Sequence, residues 1–398
     1  MGNTGPLSGV VVVDLTAMVM GPYCTQILAD MGADVIKVEP PGGDNTRYVS
    51  QGPSPGMNGV FVNVNRGKRS VELNLRTETG KTALRALVAK ADVFIHSMRS
   101  QAITKLGFGY EDVVALNPQI VYTNCYGYGR HGPDRDLPAY DDTIQAECGL
   151  PVIQQLLTGE ANYVGSIIAD KVAGLTAVYA TMMALFHRER TGEGQEVEVS
   201  MFETMASFML VEHANGAIYQ PPLGPANYHR AVAPNRRPYR TKDGQIAALI
   251  YNDKHWSAFV AAVKPHWASG EFATLQQRAQ QINKVYGLLA ETFLERTTAE
   301  WLTLLRELHI PAAPLRTPDE LFDNPHLIAA GFFETVETSD GPVRFPGVPT
   351  WFSKTPGHVQ GPAPTLGENT REVLDECGLN IDDNDGADQG DIHTEGLI

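Results

Sequence analysis

The stretch SIIADKVAGLTAVYATMMALFHRERTGEG, residues 166–194, places Asp170 and Lys171 ahead of a long apolar run. Leu175, Val178, Met182 and Leu185 recur at helical spacing with alanines between them, which predicts a helix buried on most sides. A carboxylate at its entrance has two readings. Asp170 can be an N-cap, its oxygen accepting a hydrogen bond from a free backbone N–H. It can also be a nucleophile, held ionised by the positive end of the helix and aimed at an acyl carbon. The local residues do not choose between them.

The elements around it set the context. GVVVVDLT reads as a strand buried on both faces, followed by a helix, GPYCTQILADMG, ending at Gly32. ADVIKVEPP is a second buried strand, stopped by Pro40 and Pro41. KRSVELNL, DVFIHS, QIVYTNCYGYG and GQEVEVS continue as strands, separated by helical segments that include QAITKLGFGYEDVVALN. Alternating strands and helices predict an α/β fold with a large, doubly wound, Rossmann-like parallel sheet, whose ligands sit outside the carboxyl ends of the strands. After a segment rich in Pro, Gly and Arg, a hairpin around Asp243-Gly244 and mostly helical sequence predict a smaller α+β domain. The expected division is 1–220, a large ligand-binding domain; 221–328, the small domain with its linkers; and 329–398, a return to the large domain ending in an acidic tail. A second hairpin is expected in FFETVETSDGPVRFPGVPTWFS and a late helix in TREVLDECGLN.

Bulk properties narrow the chemistry. A net charge of −15 argues against nucleic acid or anionic membrane as partner. The four cysteines, Cys24, Cys125, Cys148 and Cys377, form no C-x-x-C pair, so neither a zinc site nor a disulfide framework is expected. The N-terminus lacks the basic region of a signal peptide, and the apolar helix after Asp170 stops at HRERTGEG; no membrane span is expected, and the protein is read as soluble and cytoplasmic. The eleven histidines are scattered, mostly in polar contexts.

Strand, helix and strand ending in Glu39 invite a dinucleotide-binding reading. The loop DLTAMVMGPYC has Gly21 as its one glycine, with Met18, Val19 and Met20 where a phosphate loop needs close backbone approach. G-x-x-x-x-G-K-[ST], G-x-S-x-G and H-E-x-x-H are absent as well.

Taken in order, LSGVVVVDLT, GPYCTQILADMGADVIKVEPPGGDNTR, KRSVELNL, GFGYEDVVALNPQIVYTNCYGYGRHGP, PAYDDTIQAECG, ADKVAGLTA and RTGEGQEVEVSMFE resemble the class III CoA-transferases, the family that includes formyl-CoA and carnitine CoA-transferases. The resemblance is dense from Leu7 to Met205 and continues more weakly to LGENTREVL. It implies an interlocked homodimer, acyl-CoA and a small carboxylic acid as substrates, and coenzyme A as a substrate with no permanently bound cofactor or metal.

Residue by residue, the resemblance places Asp170 at the catalytic aspartate. It implies that Asp170 attacks an acyl-CoA thioester, passing through a mixed anhydride and an enzyme–CoA thioester. Developing negative charge on oxygen then calls for backbone donors, for which YGYGRHGP and the helix start after Asp170 are candidates. The CoA contacts implied are Val19, the LNLR segment (Leu73, Asn74, Leu75 and Arg76), Ser97, Met98, Arg99, Lys105, Tyr140 and Asp141. Arg99 and Lys105 suit phosphates. Formyl-CoA enzymes carry Gln in place of Val19 and Arg in place of Pro40, so this chain departs from them where formyl or oxalate specificity resides. Acyl-CoA racemases of this fold carry His at the position of Tyr140. A tyrosine is a poor base near pH 7, so transfer is favoured over racemisation, and a non-catalytic CoA-binding protein is the remaining alternative. Arg236, Arg237 and Arg240 are candidates to meet a dicarboxylate.

Overall fold

The β-branched runs become strands packed between helices. In chain order the first elements are β1 (Val11–Leu15), α1 (Met20–Asp30), β2 (Asp34–Glu39), α2 (Gly59–Asn65), β3 (Arg69–Glu72), α3 (Glu78–Val88), β4 (Val93–His96), α4 (Ser100–Leu106), α5 (Tyr110–Leu116), β5 (Val121–Tyr126), α6 (Asp141–Glu147), α7 (Leu150–Thr158), α8 (Ile168–Thr191), β6 (Gln195–Ser200) and α9 (Met201–His213). These come from a computed structural model that describes residues 4–379; the acidic tail falls outside the described residues.

The chain divides into two units. The first comprises Met1–Cys148, Ser166–Ser207 and Pro325–Ile398, the second Gly149–Gly165 and Phe208–Asn324. In the first, six strands form one sheet in the order β3-β2-β1-β4-β5-β6, every neighbouring pair parallel. Val12, Val13, Val35, Ile95 and Val121 are fully buried, as strands covered on both faces require. The order reverses direction between β1 and β4, which makes the carboxyl ends of those two strands the topological switch point. The hairpin β10 (Phe333–Thr338) and β11 (Gly341–Pro346) forms where expected, and a final helix, Thr370–Glu376, is tied to β3 by the Thr370 hydroxyl, which accepts from Glu72 N at 3.0 Å.

The second unit holds a three-stranded antiparallel sheet, β7 (Tyr239–Arg240), β8 (Gln245–Ala248) and β9 (Ala312–Pro314), with the turn at Asp243-Gly244. Its core is aromatic: Tyr239, Trp256, Phe259, Phe293 and Trp301 pack together, and the Trp301 indole donates to Phe293 O at 2.8 Å.

Three sequence expectations need correction. The segment from Gln101 to Asn117 is two helices, broken where Gly107 takes φ +83°. The described histidines are mostly exposed, as expected; His96 at the end of β4 is instead fully buried among Phe94, Tyr122 and Tyr126, and desolvation pushes its pKa down to about 4. Helix α8 is not buried on most sides. Ala173, Gly174, Ala177, Thr181 and Ala184 form its buried face, and Leu175, Tyr179, Met183 and Phe186 are exposed. Small residues let the helix lie close on α1, so the large side chains point away from the sheet. By length and composition this helix, 24 residues with mean hydropathy 1.3, is also long and apolar enough to cross a membrane, contrary to the sequence reading. Here its small-residue face packs against α1, β5 and β6.

Candidate active site at the sheet switch point

The loops after β1 and β4 meet at the switch point, where Ala17 N donates to Ser97 Oγ at 3.0 Å. A buried ionic network fixes the first of these loops. Asp14 accepts from Thr16 N (2.8 Å), Thr25 Oγ1 (2.6 Å) and Lys68 Nζ (3.1 Å). Lys37 Nζ donates to Thr16 O and Asp44, both at 2.9 Å, and Asp44 accepts from Met18 N at 3.2 Å. These bonds hold Met18 at φ +65°, a left-handed conformation costly for a residue with a Cβ. Directly after it the chain turns into α1, so tightly that a Cβ on Gly21 would stand 2.3 Å from Thr16 Cβ. Burial acts to raise the pKa of Asp14, but the Lys68 and Lys37 ammoniums outweigh it and hold the carboxyl below its usual range. Burial depresses Lys68 to about 8 despite the pull of Asp14.

Glu39 is buried and held by Arg47 (2.6 and 2.8 Å) and the Ser70 hydroxyl (2.7 Å). Both of its oxygens are thus engaged by protein donors, Oε2 also by Asp44 N at 3.0 Å.

Asp170 lies in the first turn of α8, next to α1. A Cβ on Gly174, one turn further on, would meet Met20 O at 2.7 Å, so the glycine permits this approach. Asp170 is not the cap of its helix. The N-cap position is Ile167, which offers no side-chain acceptor. The Asp141 carboxylate, from the start of α6, takes that part: its Oδ1 accepts from Ala169 N at 2.7 Å and Asp170 N at 3.1 Å. Desolvation, and then the negative charge of Asp141, push the Asp170 carboxyl up from 3.8 to about 7; the Met20 backbone N–H, hydrogen-bonded to it, pulls the other way. The folded protein thus holds the Asp170 proton more tightly than the unfolded chain does. Its ionisation lowers stability as pH rises from about 4 to 7, and the penalty is complete above 7. Asp170→Asn is expected to raise Tm by about 1–3 °C at pH 8, with the difference shrinking as pH falls towards 4. Thermal unfolding of both proteins across that range checks it.

The donors expected to face developing charge are mostly committed elsewhere. Gly129 N donates to Glu203 and Arg130 N to Glu198, and the α8 start is closed by Asp141. The backbone donor directed at Asp170 is Met20 N, at the N-terminus of α1, where no side chain caps the helix. Nothing in the residue type of Met20 signals this role. A glycine next to it, Gly21, between a strand and a helix was the available hint.

The residues expected to contact CoA all belong to the first unit, whereas Arg236, Arg237 and Arg240 belong to the second and are exposed. Val19 is buried at the start of α1. Leu73, Asn74, Leu75 and Arg76 follow the carboxyl end of β3; Leu73 and Leu75 pack into the core, Asn74 Oδ1 accepts from Arg76 N at 3.1 Å, and the Arg76 side chain is exposed. Ser97 joins the two switch-point loops, Met98 packs against the core, and Arg99 sits at the N-cap of α4 with Lys105 exposed in its last turn. Tyr140 is 46% exposed at the N-cap of α6, and Asp141 is 6% exposed. A cavity of about 260 Å³ lies between α4 and the loop after β5, lined by Ser100, Gln101, Tyr126, Tyr128, Arg130 and Arg135. Among the described residues no cluster of His, Cys, Asp or Glu is arranged to hold a metal ion.

A six-stranded parallel sheet with a raised-pKa aspartate beside its switch point is an α/β ligand-binding unit. The comparisons make this specific. The profile of CoA-transferase family III matches residues 7–370, so the chain belongs to that family and is an enzyme of the CoA-transferase class. It is 33% identical to the succinyl-CoA:mesaconate CoA-transferase of Haloarcula marismortui, over 96% of this chain and 98% of that one. It is also 33% identical to the succinate–glutarate CoA-transferase of Agrobacterium fabrum, over 93% and 95% of the two chains. A CaiB/BaiF family protein from Brucella suis has the same fold, with TM-score 0.80 and 29% identity over 94% of this chain and 100% of that one.

Proposed function

We propose that this enzyme moves CoA from an acyl-CoA donor to a dicarboxylic acid acceptor, with Asp170 as covalent nucleophile. The observation that carries this is a desolvated carboxylate, its pKa about 7, beside the uncapped N-terminus of α1. Ionised Asp170 attacks the thioester carbonyl carbon; the C–S bond breaks, CoA thiolate leaves and a mixed anhydride remains. The thiolate attacks the aspartyl carbon and releases the donor carboxylate, leaving an aspartyl–CoA thioester. The acceptor carboxylate displaces the thiolate from that carbon, forming a second anhydride. The thiolate then takes the acceptor acyl group and frees Asp170. Met20 N–H is placed to stabilise the oxyanions. A desolvated carboxylate is a stronger nucleophile than a solvated one, at the cost of being partly protonated near neutrality.

The nucleotide end of CoA is assigned to the segments after β3 and β4, with Arg76, Arg99 and Lys105 as phosphate partners. The acceptor class follows from the dicarboxylates in the relatives' names. Pairing as an interlocked homodimer belongs to the same reading, supported by the exposed apolar stripe Leu175, Tyr179, Met183 and Phe186 on α8. Location in the cytoplasm is supported by four free cysteines.

Because the attacking form of Asp170 is the anion, kcat/KM for acyl-CoA is expected to rise with pH and level off above an apparent pKa of about 7. A pH profile with saturating acceptor measures it. The experiment that tests the whole reading is incubation with acyl-CoA, quenching with hydroxylamine and mass spectrometry of the peptide containing Asp170. A hydroxamate at Asp170 is the expected result. CoA transfer without a hydroxamate at Asp170 would overturn its role as the covalent nucleophile.

A further inference from the structure

The first turn of α8 borrows its cap from another helix. Ile167 cannot accept the free N–H groups at the start of α8, and Asp141 from α6 accepts two of them, those of Ala169 and Asp170, at 2.7 and 3.1 Å. The other Asp141 oxygen is held by the Gln145 amide at 2.6 Å, one turn along α6. Gln145 also donates to Ser166 O at 3.3 Å, on the approach to α8. Asp141 and Gln145 are both almost fully buried. The pair therefore spans the gap between two helices and fixes the backbone of the residue that carries the nucleophile. A carboxylate is an uncommon neighbour for a group that must itself ionise. An amide or hydroxyl would cap as well without the charge.

We propose that Asp141 is a positioning residue for CoA transfer rather than a CoA contact: it caps α8 from outside, fixes the Asp170 backbone, and sets a negative charge beside the nucleophile. This rests on Asp170 being the nucleophile. The elements packed on α8 bring Tyr23 on α1, Asp142 on α6, Cys125 on β5 and Glu198 on β6 as further ionisable groups, and α8 itself carries Lys171. Of the charges near the start of α8, it is that of Asp141 that acts on Asp170, adding to the effect of desolvation.

The cap and the charge are separable. Asp141→Asn keeps an oxygen to accept the two N–H groups and removes the charge. Asp141→Ala removes both. The expected result is that D141N folds with Tm near that of the wild type, and that the acid limb of its kcat/KM profile moves down by about one pH unit. D141A is expected to lose at least about tenfold in kcat with little change in KM for acyl-CoA. A D141N profile superimposable on the wild type would remove the electrostatic role. A D141A kcat equal to that of the wild type would remove the positioning role. Asp170→Ala, assayed in parallel, separates the two readings. If D170A stays active, the nucleophile assignment has failed. If D170A is inactive and the Asp141 variants are indistinguishable from wild type, only the present proposal has. Should D141A not fold, D141N and Gln145→Leu supply the same test, since Q145L frees Asp141 without touching its charge.

Discussion

Asp170→Ala is expected to lower kcat by at least about 10³-fold while leaving the affinity for CoA within a few-fold of wild type. The size of the effect follows from the covalent reaction proposed above for Asp170. In that proposed reaction two carboxylic acids exchange CoA without hydrolysis because the thioester energy is stored on the Asp170 carboxylate, first as an anhydride and then as a thioester. Water cannot replace it, because water ends the sequence as free acid. The side chain is small, half-buried and does not cap its own helix, so its loss leaves the α8 start intact on Asp141. Steady-state rates with an acyl-CoA donor and an acceptor acid, set beside calorimetric CoA binding, measure both quantities. A D170A variant with wild-type turnover would overturn the assignment, and one that no longer binds CoA would point to a structural defect.

The second large effect concerns stability. Asp14→Ala is expected to cost about 3–5 kcal/mol, because it leaves the ammonium of Lys68 buried without its carboxylate and releases Thr16 N and Thr25 Oγ1. Asp14 and Lys68 are both inaccessible to solvent, so water cannot take over the missing partner. The double variant D14L/K68M removes both charges and is expected to recover most of the loss. Urea unfolding followed by far-UV circular dichroism measures all three proteins. A D14A loss below about 1 kcal/mol would show that the network is solvated. The same bonds pin residues 16–18 ahead of Met20, so D14A should also lower kcat without any contact to substrate.

Sequence patterning located the strands of the parallel sheet well. A β-branched run covered on both faces leaves an apolar signal, which is plain in β1 and β4 and interrupted by Lys37 in β2 and by Thr123 and Asn124 in β5. Helix α8 was legible as a helix but not in its orientation. Alanine and leucine both count as apolar, and only packing shows that the alanines face inward while Leu175, Tyr179, Met183 and Phe186 stay exposed. The break at Gly107 was missed for a related reason. A lone glycine within a helical pattern is tolerated often enough that its φ of +83° cannot be foreseen.

At the site the division is sharper. Family resemblance in the ordered motifs singled out Asp170, and the residue types ruled out a phosphate loop and a G-x-S-x-G nucleophile. Which carboxylate caps α8, which N–H faces Asp170 and why its proton is held to about pH 7 were decided by the fold. These depend on Asp141, Met20 and Asp170 meeting from three segments separated by tens to more than a hundred residues. Short-range spacing describes how a chain coils locally. Capping across helices, desolvation and charge coupling act through space, and they exist only once the sheet has brought the ends of its strands together.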